Sequence, residues 1–456
     1  MEELASEFIV GTCQLLPKSS NVVFGPFYMY QPCYAMYCGS AVEFYIQPLH
    51  SCIADVDALR IRTDDLAFTG DFPELPSDVS CLRDSIKCYQ IEPHLTYPGF
   101  VRLRYIGEVN YNWKCKNHQF SRLSFPNNYV TVIAVGNVRL EQGMTKTTSG
   151  PAIKLLIFSG TDVLDVVGCV WCPQWPKEAK FWPKRPRRNA WPDIYAISEV
   201  VRNGCHVVYV QHRACRDDKY QFRLSFSAAE VILLQSWTKT QQITYHLLRF
   251  FARRELILKD CPKEDEVFCM YHLKTLMLWT CEEIPSRWWV SSSIITICSM
   301  LLKKLSEWLS RRNVPNYFIP EANLFHEPSS STMFDKTQRK LNEFSDSKIL
   351  CNWFVNNYIH HFTDRKVINI DCPYYTACLQ SLFTFWSERE PLSLNIFFWF
   401  VLNYSNKCSR TAIKSGGLRG LFNVRSFVFD KKISFAYAQE NAWIKSSEER
   451  LVFHLP

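Results

Sequence analysis

The sequence has 456 residues, of which 47% are hydrophobic and 21% charged; this suits two or three domains with full cores and excludes a disordered or low-complexity chain. A formal charge of +8 allows a nucleic-acid or phosphate partner without requiring one. The longest apolar runs, around Ile294–Leu302 and Leu394–Leu402, fall short of the ~20 residues that span a bilayer, and 19 cysteines without framework spacing read as reduced thiols of a cytoplasmic protein rather than a secreted disulfide scaffold.

The start, Met1-Glu2-Glu3-Leu4, is acidic and carries no secretory pattern. Only 38 residues precede Gly39, and Pro17, Pro26 and Pro32 interrupt them, so no long N-terminal helix is expected. Gly39-Ser40 can form a tight loop whose N–H groups and hydroxyl face a phosphate. Asp55 and Asp57 follow inside "CIADVDALRI", which has strand character, so alternation points both carboxylates to one face. Two like charges held that close call for a cation. Mg²⁺ or Mn²⁺ suits such oxygen ligands, and a nucleoside triphosphate would supply the others.

Farther along, Phe68–Gly99 is rich in Pro, Gly and acidic residues and reads as a surface insertion, whereas Val101–Gly107, Tyr129–Leu140 and Ile153–Phe158 read as strands. A two-metal phosphoryl-transfer site usually takes a third carboxylate from a neighbouring strand, and "TDVLDVV" offers Asp162 and Asp165. Strand alternation sets these two on opposite faces, and Asp165, between Leu164 and Val166, is the one expected to join the pair. Cys169-x-x-Cys172 lacks a second pair at zinc-ribbon spacing; Cys205, His206, His212 and Cys215 offer enough nitrogen and sulfur for tetrahedral zinc. The basic run Trp182–Pro192 is a solvated loop or a phosphate-backbone contact.

From Ser225 onward the pattern is helical. Ser227 and Glu230 have capping-box spacing, and Ile294, Ile297, Leu301, Leu305 and Trp308 form one apolar helix stripe. Glu327–Thr332 reads as a linker, and Asn352–Phe362 and Leu379–Trp386 as further helical segments. No Cys–His nucleophile is expected.

These residues carry a resemblance. "FRLSFSAAEVILL" (Phe222–Leu234), "YHLKTLMLWTCEEIPSRWW" (Tyr271–Trp289) and "NYFIPEANLF" (Asn316–Phe325) resemble the helical lobe of cyclic GMP–AMP synthase and the cyclic GMP–AMP synthase-like receptors of animals. "CPQWPKEAKFW" (Cys172–Trp182) and Trp191-Pro192 are similar to the segment joining that family's two halves, and Gly39-Ser40 with Asp55-x-Asp57 to its nucleotidyltransferase signature. The resemblance implies an α+β fold: a nucleotidyltransferase lobe with a mixed β-sheet, then an α-helical lobe, bilobed around a central cleft. The expected division is 1–215 for the core lobe, 216–327 for the helical lobe and 328–456 for a C-terminal extension of unassigned role.

Carried over by resemblance, Asp55, Asp57 and Asp165 would hold the metals. Gly39 and Ser40 would contact ATP phosphates, and Arg223 would edge an acceptor base. Arg249 would lie against the donor nucleotide, and Tyr271 would stack on a base. Ser225, Glu230 and Lys274 complete the nucleotide-contacting set. The implied activity is synthesis of a cyclic dinucleotide from ATP and GTP, or another triphosphate, with Mg²⁺ or Mn²⁺, once a foreign ligand is sensed in innate immunity. A downstream cyclic-dinucleotide receptor would be reached through the product. The interval between Glu230 and Arg249 has no cysteine, so the zinc thumb that the resemblance links to DNA sensing is missing, and double-stranded RNA is the expected trigger. The alternative is a catalytically inactive scaffold or developmental relative of the same fold.

Overall fold

The computed structural model describes residues 2–12, 14–15, 25–26, 33–39, 46–47, 56–70, 85–112, 117–122, 144–149, 152–157, 161–215, 218–257, 266–325 and 331–359. Ser40, Asp55, the strand expected at Tyr129–Leu140 and the helix expected at Leu379–Trp386 lie outside them. Two compact units are formed, Met1–Cys351 and Asn352–Pro456.

The chain begins with α1 (Glu2–Thr12), then β1 (Gln14–Leu15), β2 (Gly25–Pro26), β3 (Cys33–Cys38), β4 (Ile46–Gln47) and β5 (Val56–Phe68). Strands β6 (Ser85–Pro93), β7 (Phe100–Asn112), β8 (Asn117–Arg122), β9 (Met144–Ser149), β10 (Ala152–Ile157) and β11 (Thr161–Cys172) follow. After α2 (Ile194–Asn203) come β12 (Cys205–Val208) and β13 (Gln221–Ser225). The helices α3 (Ser227–Gln235), α4 (Lys239–Glu255), α5 (Met270–Glu283), α6 (Ile294–Ser310), α7 (Ser331–Glu343) and α8 (Ser347–Phe354) complete the described chain.

The described strands build a mixed sheet in the order β2-β3-β5-β6-β7-β13-β12-β11-β10-β9, with β8 on β7 and a further β5–β11 pairing. Strand β5 runs parallel to β6 and β11 and antiparallel to β3. Its residues Ala58, Leu59, Arg60 and Ile61 are all buried, as expected of a strand covered on both faces. The region expected as a surface insertion contains β6, where Ile86 and Cys88 and, past a bulge, Tyr89 and Ile91 are buried between β5 and β7. A period of two, shifted once by the bulge, outweighed the turn-rich composition around it.

Turns fix how these strands meet. Asp193 caps α2 by accepting the Ala196 N–H at 2.7 Å, and Gly204 ends that helix at φ +66°. A Cβ at 204 would stand 2.0 Å from the Cys172 carbonyl oxygen, so only glycine lets β12 start directly beside β11.

The helical part centres on α4, buried from Thr240 to Ala252, which marks it as a helix surrounded by protein. Its start is a capping box, Thr238 with Gln241. Ser227–Glu230 is not one: α3 is preceded by Phe226 with no side-chain cap, Ser227 meets the Ser225 hydroxyl at 3.1 Å, and Glu230 reaches elsewhere. The α6 stripe is core, with Ile294, Ile297, Leu301 and Leu305 buried, each worth about 1.5–3 kcal/mol. Helix α7 packs on this bundle: Gln338 donates to the Ser306 carbonyl at 3.0 Å, and Leu341 is buried. The short α1 docks on the same bundle, where Ser6 Oγ accepts the Ile295 N–H at 3.4 Å.

Candidate functional site

Two of the expected carboxylates are described, and the sheet register relates them directly. Asp57 on β5 and Asp165 on β11 are paired residues of adjacent parallel strands. Register partners in a parallel pair project to the same face, and neighbouring strands lie about 4.8 Å apart, so the two carboxylates issue side by side. Both are half-buried. Gly39 follows β3, whose Cys38 is the register partner of Asp57 on its other side. It adopts φ +72°, and a Cβ there would stand 2.0 Å from Asp57 Oδ2. The Gly39 turn is therefore folded onto the Asp57 carboxylate. Oxygen donors held this way have the hard-ligand chemistry that Mg²⁺ and Mn²⁺ take.

The β10–β11 register undoes the alternation expected between Asp162 and Asp165. Asp165 pairs with Lys154, but Asp162 pairs with Leu156, because a bulge shifts the β10–β11 register. An extra residue in one strand breaks simple alternation, so a separation of three no longer sets positions 162 and 165 on opposite faces.

A second cluster lies on the helices. The Tyr271 hydroxyl donates to Glu230 Oε1 at 2.8 Å, and Lys274 Nζ binds Glu230 Oε2 at 2.8 Å. Glu230 and Lys274 are 4% and 9% exposed, so the charges neutralise each other away from water. Burial and the adjacent Glu230 carboxylate push the Tyr271 hydroxyl well above its ordinary range. Arg223 on β13 is exposed and close enough to act on Tyr271 electrostatically. Arg223, Glu230, Tyr271 and Lys274 thus form one polar cluster, to which Ser225, on the same strand as Arg223, is adjacent in the chain. Arg249 is buried on α4, where Nη1 donates to the Tyr245 hydroxyl at 3.3 Å.

Two of the four cations in the basic run, Arg185 and Arg187, are absorbed into the fold. Arg185 makes a two-point contact with Glu282, 2.8 Å at each oxygen. Arg187 Nε lies 3.3 Å from the same carboxylate, and the Tyr317 hydroxyl donates to it at 2.7 Å. Trp191 Nε1 donates to Ser236 Oγ at 2.7 Å. Nearby, Trp175, Trp182, Phe226 and Phe318 pack ring to ring at 4.5–6.0 Å. Lys184 and Arg188 are the exposed cations of the run.

Of the four residues with zinc-ligand chemistry, Cys205 and His206 are successive buried residues of β12. Among the described residues a different set converges: His94, Cys215 and Asp218 offer ligand atoms within 4.8 Å of one another. Protein groups already hold two of them. Arg102 donates to Asp218 at 2.8 Å, and His94 Nδ1 accepts the N–H groups of Thr96 and Tyr97 at 3.3 Å.

This architecture of mixed sheet followed by helices agrees with known domains. Residues 115–236 match the Mab-21 protein nucleotidyltransferase domain, and residues 241–343 match the Mab-21 protein HhH/H2TH-like domain. The chain carries a Mab-21 nucleotidyltransferase domain with its helical companion. Over 177 residues it is 29% identical to protein mab-21-like 3 of Danio rerio, covering 38% of this chain and 41% of that protein. Protein mab-21-like of Anopheles gambiae is 28% identical over 171 residues, 36% of this chain and 44% of that one. The Drosophila melanogaster protein mab-21-like is 28% identical over 168 residues, 35% and 43% of the two chains. The chain therefore spans a little over two fifths of the length of these curated relatives. Strands β11 to β13, with Asp165 and Arg223, and Glu230 on α3 lie within the Mab-21 nucleotidyltransferase match, whereas Gly39 and Asp57 precede it. No helix among the described residues is long and apolar enough to cross a membrane.

Proposed function

We propose that this chain is a metal-dependent nucleotidyltransferase that joins nucleoside triphosphates, ATP and GTP foremost, into a cyclic dinucleotide. The observation that carries this reading is the Asp57–Asp165 register pair with the Gly39 turn folded onto it. A nucleotidyltransferase domain with two carboxylates on one face has the means to hold divalent cations, and a glycine turn has the N–H groups to face a triphosphate. Asp55 and Ser40 belong to the proposed set through their sequence positions. Bound Mg²⁺ or Mn²⁺ would supply charge neutralisation at the α-phosphorus and leaving pyrophosphate.

Tyr271, Arg223, Ser225, Glu230 and Lys274 are the proposed nucleotide-contacting residues, the Tyr271 ring offering a stacking face. Arg249, buried against Tyr245, would act on the donor nucleotide only from within α4. The proposed lobes are 1–215 and 216–327, with 328–456 as an extension. The proposed setting is cytoplasmic innate immunity, with double-stranded RNA as trigger and a cyclic-dinucleotide receptor downstream. Because Arg185 and Arg187 are bound to Glu282, duplex contacts in the basic run fall to Lys184 and Arg188.

The test is incubation of the purified chain with the four labelled triphosphates and Mg²⁺ or Mn²⁺. Long double-stranded RNA, DNA of equal length, or neither is added, at low and raised salt. A cyclic product stimulated by RNA, fading as salt rises, supports the reading. A product made with DNA alone, or indifferent to both, removes the RNA assignment. No product under any condition replaces it with the catalytically inactive relative.

A further inference from the structure

Helix α2 turns one face inward, where Ala196 and Val200 are buried. The other face is in water. Ile194, Tyr195, Ser198, Glu199 and Arg202 are all exposed, at the spacings of one and four that mark a single side of a helix. An outward face is normally polar, yet this one opens with two large apolar side chains, Ile194 67% and Tyr195 83% exposed. The short turn Trp182–Lys184 packs against α2 and repeats the combination. Trp182 is buried, its ring 5.3 Å from those of Trp175 and Phe318, and Arg187 donates to its carbonyl at 2.8 Å. With the turn pinned this way, the preceding Phe181 is presented outward by a fixed backbone. It is 68% exposed, with Lys180 Nζ 4.8 Å from its ring centroid.

The exposed charge on these segments is mostly positive. Lys177, Lys180, Lys184 and Arg188 are exposed before α2, and Arg202 at its far end. The opposing exposed carboxylates are Glu199 and Asp193, and Asp193 is engaged in capping α2 through the Ala196 N–H at 2.7 Å. The chemistry of this face selects among partners. A nucleic-acid duplex offers phosphates to the cations but no apolar surface, and Ile194 has no ring to stack on a base. A second copy of this chain, meeting patch to patch, would set cation against cation. An anionic membrane surface suits both halves of the patch. Its headgroups take the cations, and the boundary with the acyl chains takes aromatic and aliphatic side chains, with lysine stems lying along them.

We propose that Phe181, Ile194 and Tyr195, rimmed by Lys177, Lys180 and Lys184, form a face that docks this protein on an anionic lipid surface. The three apolar side chains enter the headgroup boundary while the ammonium groups stay at the level of the lipid phosphates. The contact is peripheral, with no helix passing through the bilayer, and it weakens with salt. It does not depend on the nucleotidyltransferase reading. Lys184 is shared with the proposed duplex contact, whereas the three apolar side chains are not, and this separates the two partners experimentally.

The experiment sediments the full-length chain with vesicles of phosphatidylcholine alone, or of phosphatidylcholine with about one third phosphatidylserine, at low and raised salt. The phosphatidylserine vesicles should be bound at least ~10-fold more tightly than the neutral ones, and raised salt should release the protein. Phe181→Ser, and separately Ile194→Ser combined with Tyr195→Ser, should each lower vesicle binding by roughly 10-fold. Circular dichroism and the binding of long double-stranded RNA should be unchanged in both. Lys177→Ala combined with Lys180→Ala should weaken vesicle binding by about 5-fold for each cation removed. Equal binding to neutral and anionic vesicles, or no binding to either at low salt, overturns the proposal. Anionic-vesicle binding that survives both serine variants overturns the assigned face. Loss of RNA binding together with vesicle binding in the folded serine variants gives the face to nucleic acid and overturns the lipid assignment.

Discussion

Gly39 lies so close against Asp57 that a Cβ at position 39 would fall 2.0 Å from Asp57 Oδ2 and 3.0 Å from Cγ. The two are far apart in sequence, yet β3 and β5 pair so that Cys38 faces Asp57, and the turn after β3 must cross the carboxylate. At φ +72° that turn also needs a residue without a side chain.

The first prediction follows from this contact. Gly39→Ala should cost about 1–2 kcal/mol for the left-handed backbone alone, and more from the clash. In an Asp57→Ala background only the backbone cost should remain. A double-mutant cycle by urea denaturation measures the difference; strictly additive losses would mean that the turn and the carboxylate do not touch.

Asp57→Asn and Asp165→Asn should each lower nucleotidyl transfer by at least ~10²-fold, the scale of a lost transition-state contact, with circular dichroism unchanged. Both should also reduce the rise in thermal midpoint that Mn²⁺ produces in the parent protein. Normal turnover in either variant would remove that carboxylate from the proposed site.

The Glu230 cluster predicts an order of severity. Tyr271→Phe removes one hydrogen bond to a carboxylate, worth about 1.5–3 kcal/mol, so it is not the silent change that ring stacking alone implies. Glu230→Gln strips Lys274 of its buried counter-charge, which costs about 3–5 kcal/mol. Chemical denaturation of the two variants checks this, and an equal or reversed order would place the Glu230 partners elsewhere.

Stability should fall on mild acidification through two buried histidines. Burial holds His206 down to about 4, and burial together with Arg249 holds His246 down to about 3; the ordinary value is 6.5. The unfolded chain takes up these protons near pH 6.5, before the folded one does. The contribution is therefore complete above that pH and is lost as pH drops toward 4 and 3. By pH 5 the loss is about 2 kcal/mol for each histidine. His206→Asn should make the difference in unfolding free energy between pH 7 and pH 5 smaller by about that amount; an unchanged difference would show that His206 is not held neutral.

The sequence by itself determined the features that depend on neighbouring residues. Strand character at Val101–Gly107 and Ile153–Phe158, the buried stripe of α6, and the change from sheet to helix after Ser225 all follow from period and turn chemistry, which are written locally. A glycine turn followed in the chain by an aspartate-bearing strand was legible for the same reason. Tertiary structure decided what faces what. The parallel pairing of β5 with β11 set Asp57 beside Asp165, and a bulge cancelled the alternation that separated Asp162 from Asp165. Glu230, spaced like a cap, instead bound Tyr271 and Lys274 on another helix. Arg185 and Arg187, basic and exposed by composition, were claimed by Glu282. Each of these is a contact between segments distant in the chain, set by register and by the need of buried polar groups for partners, and no local period encodes such a contact.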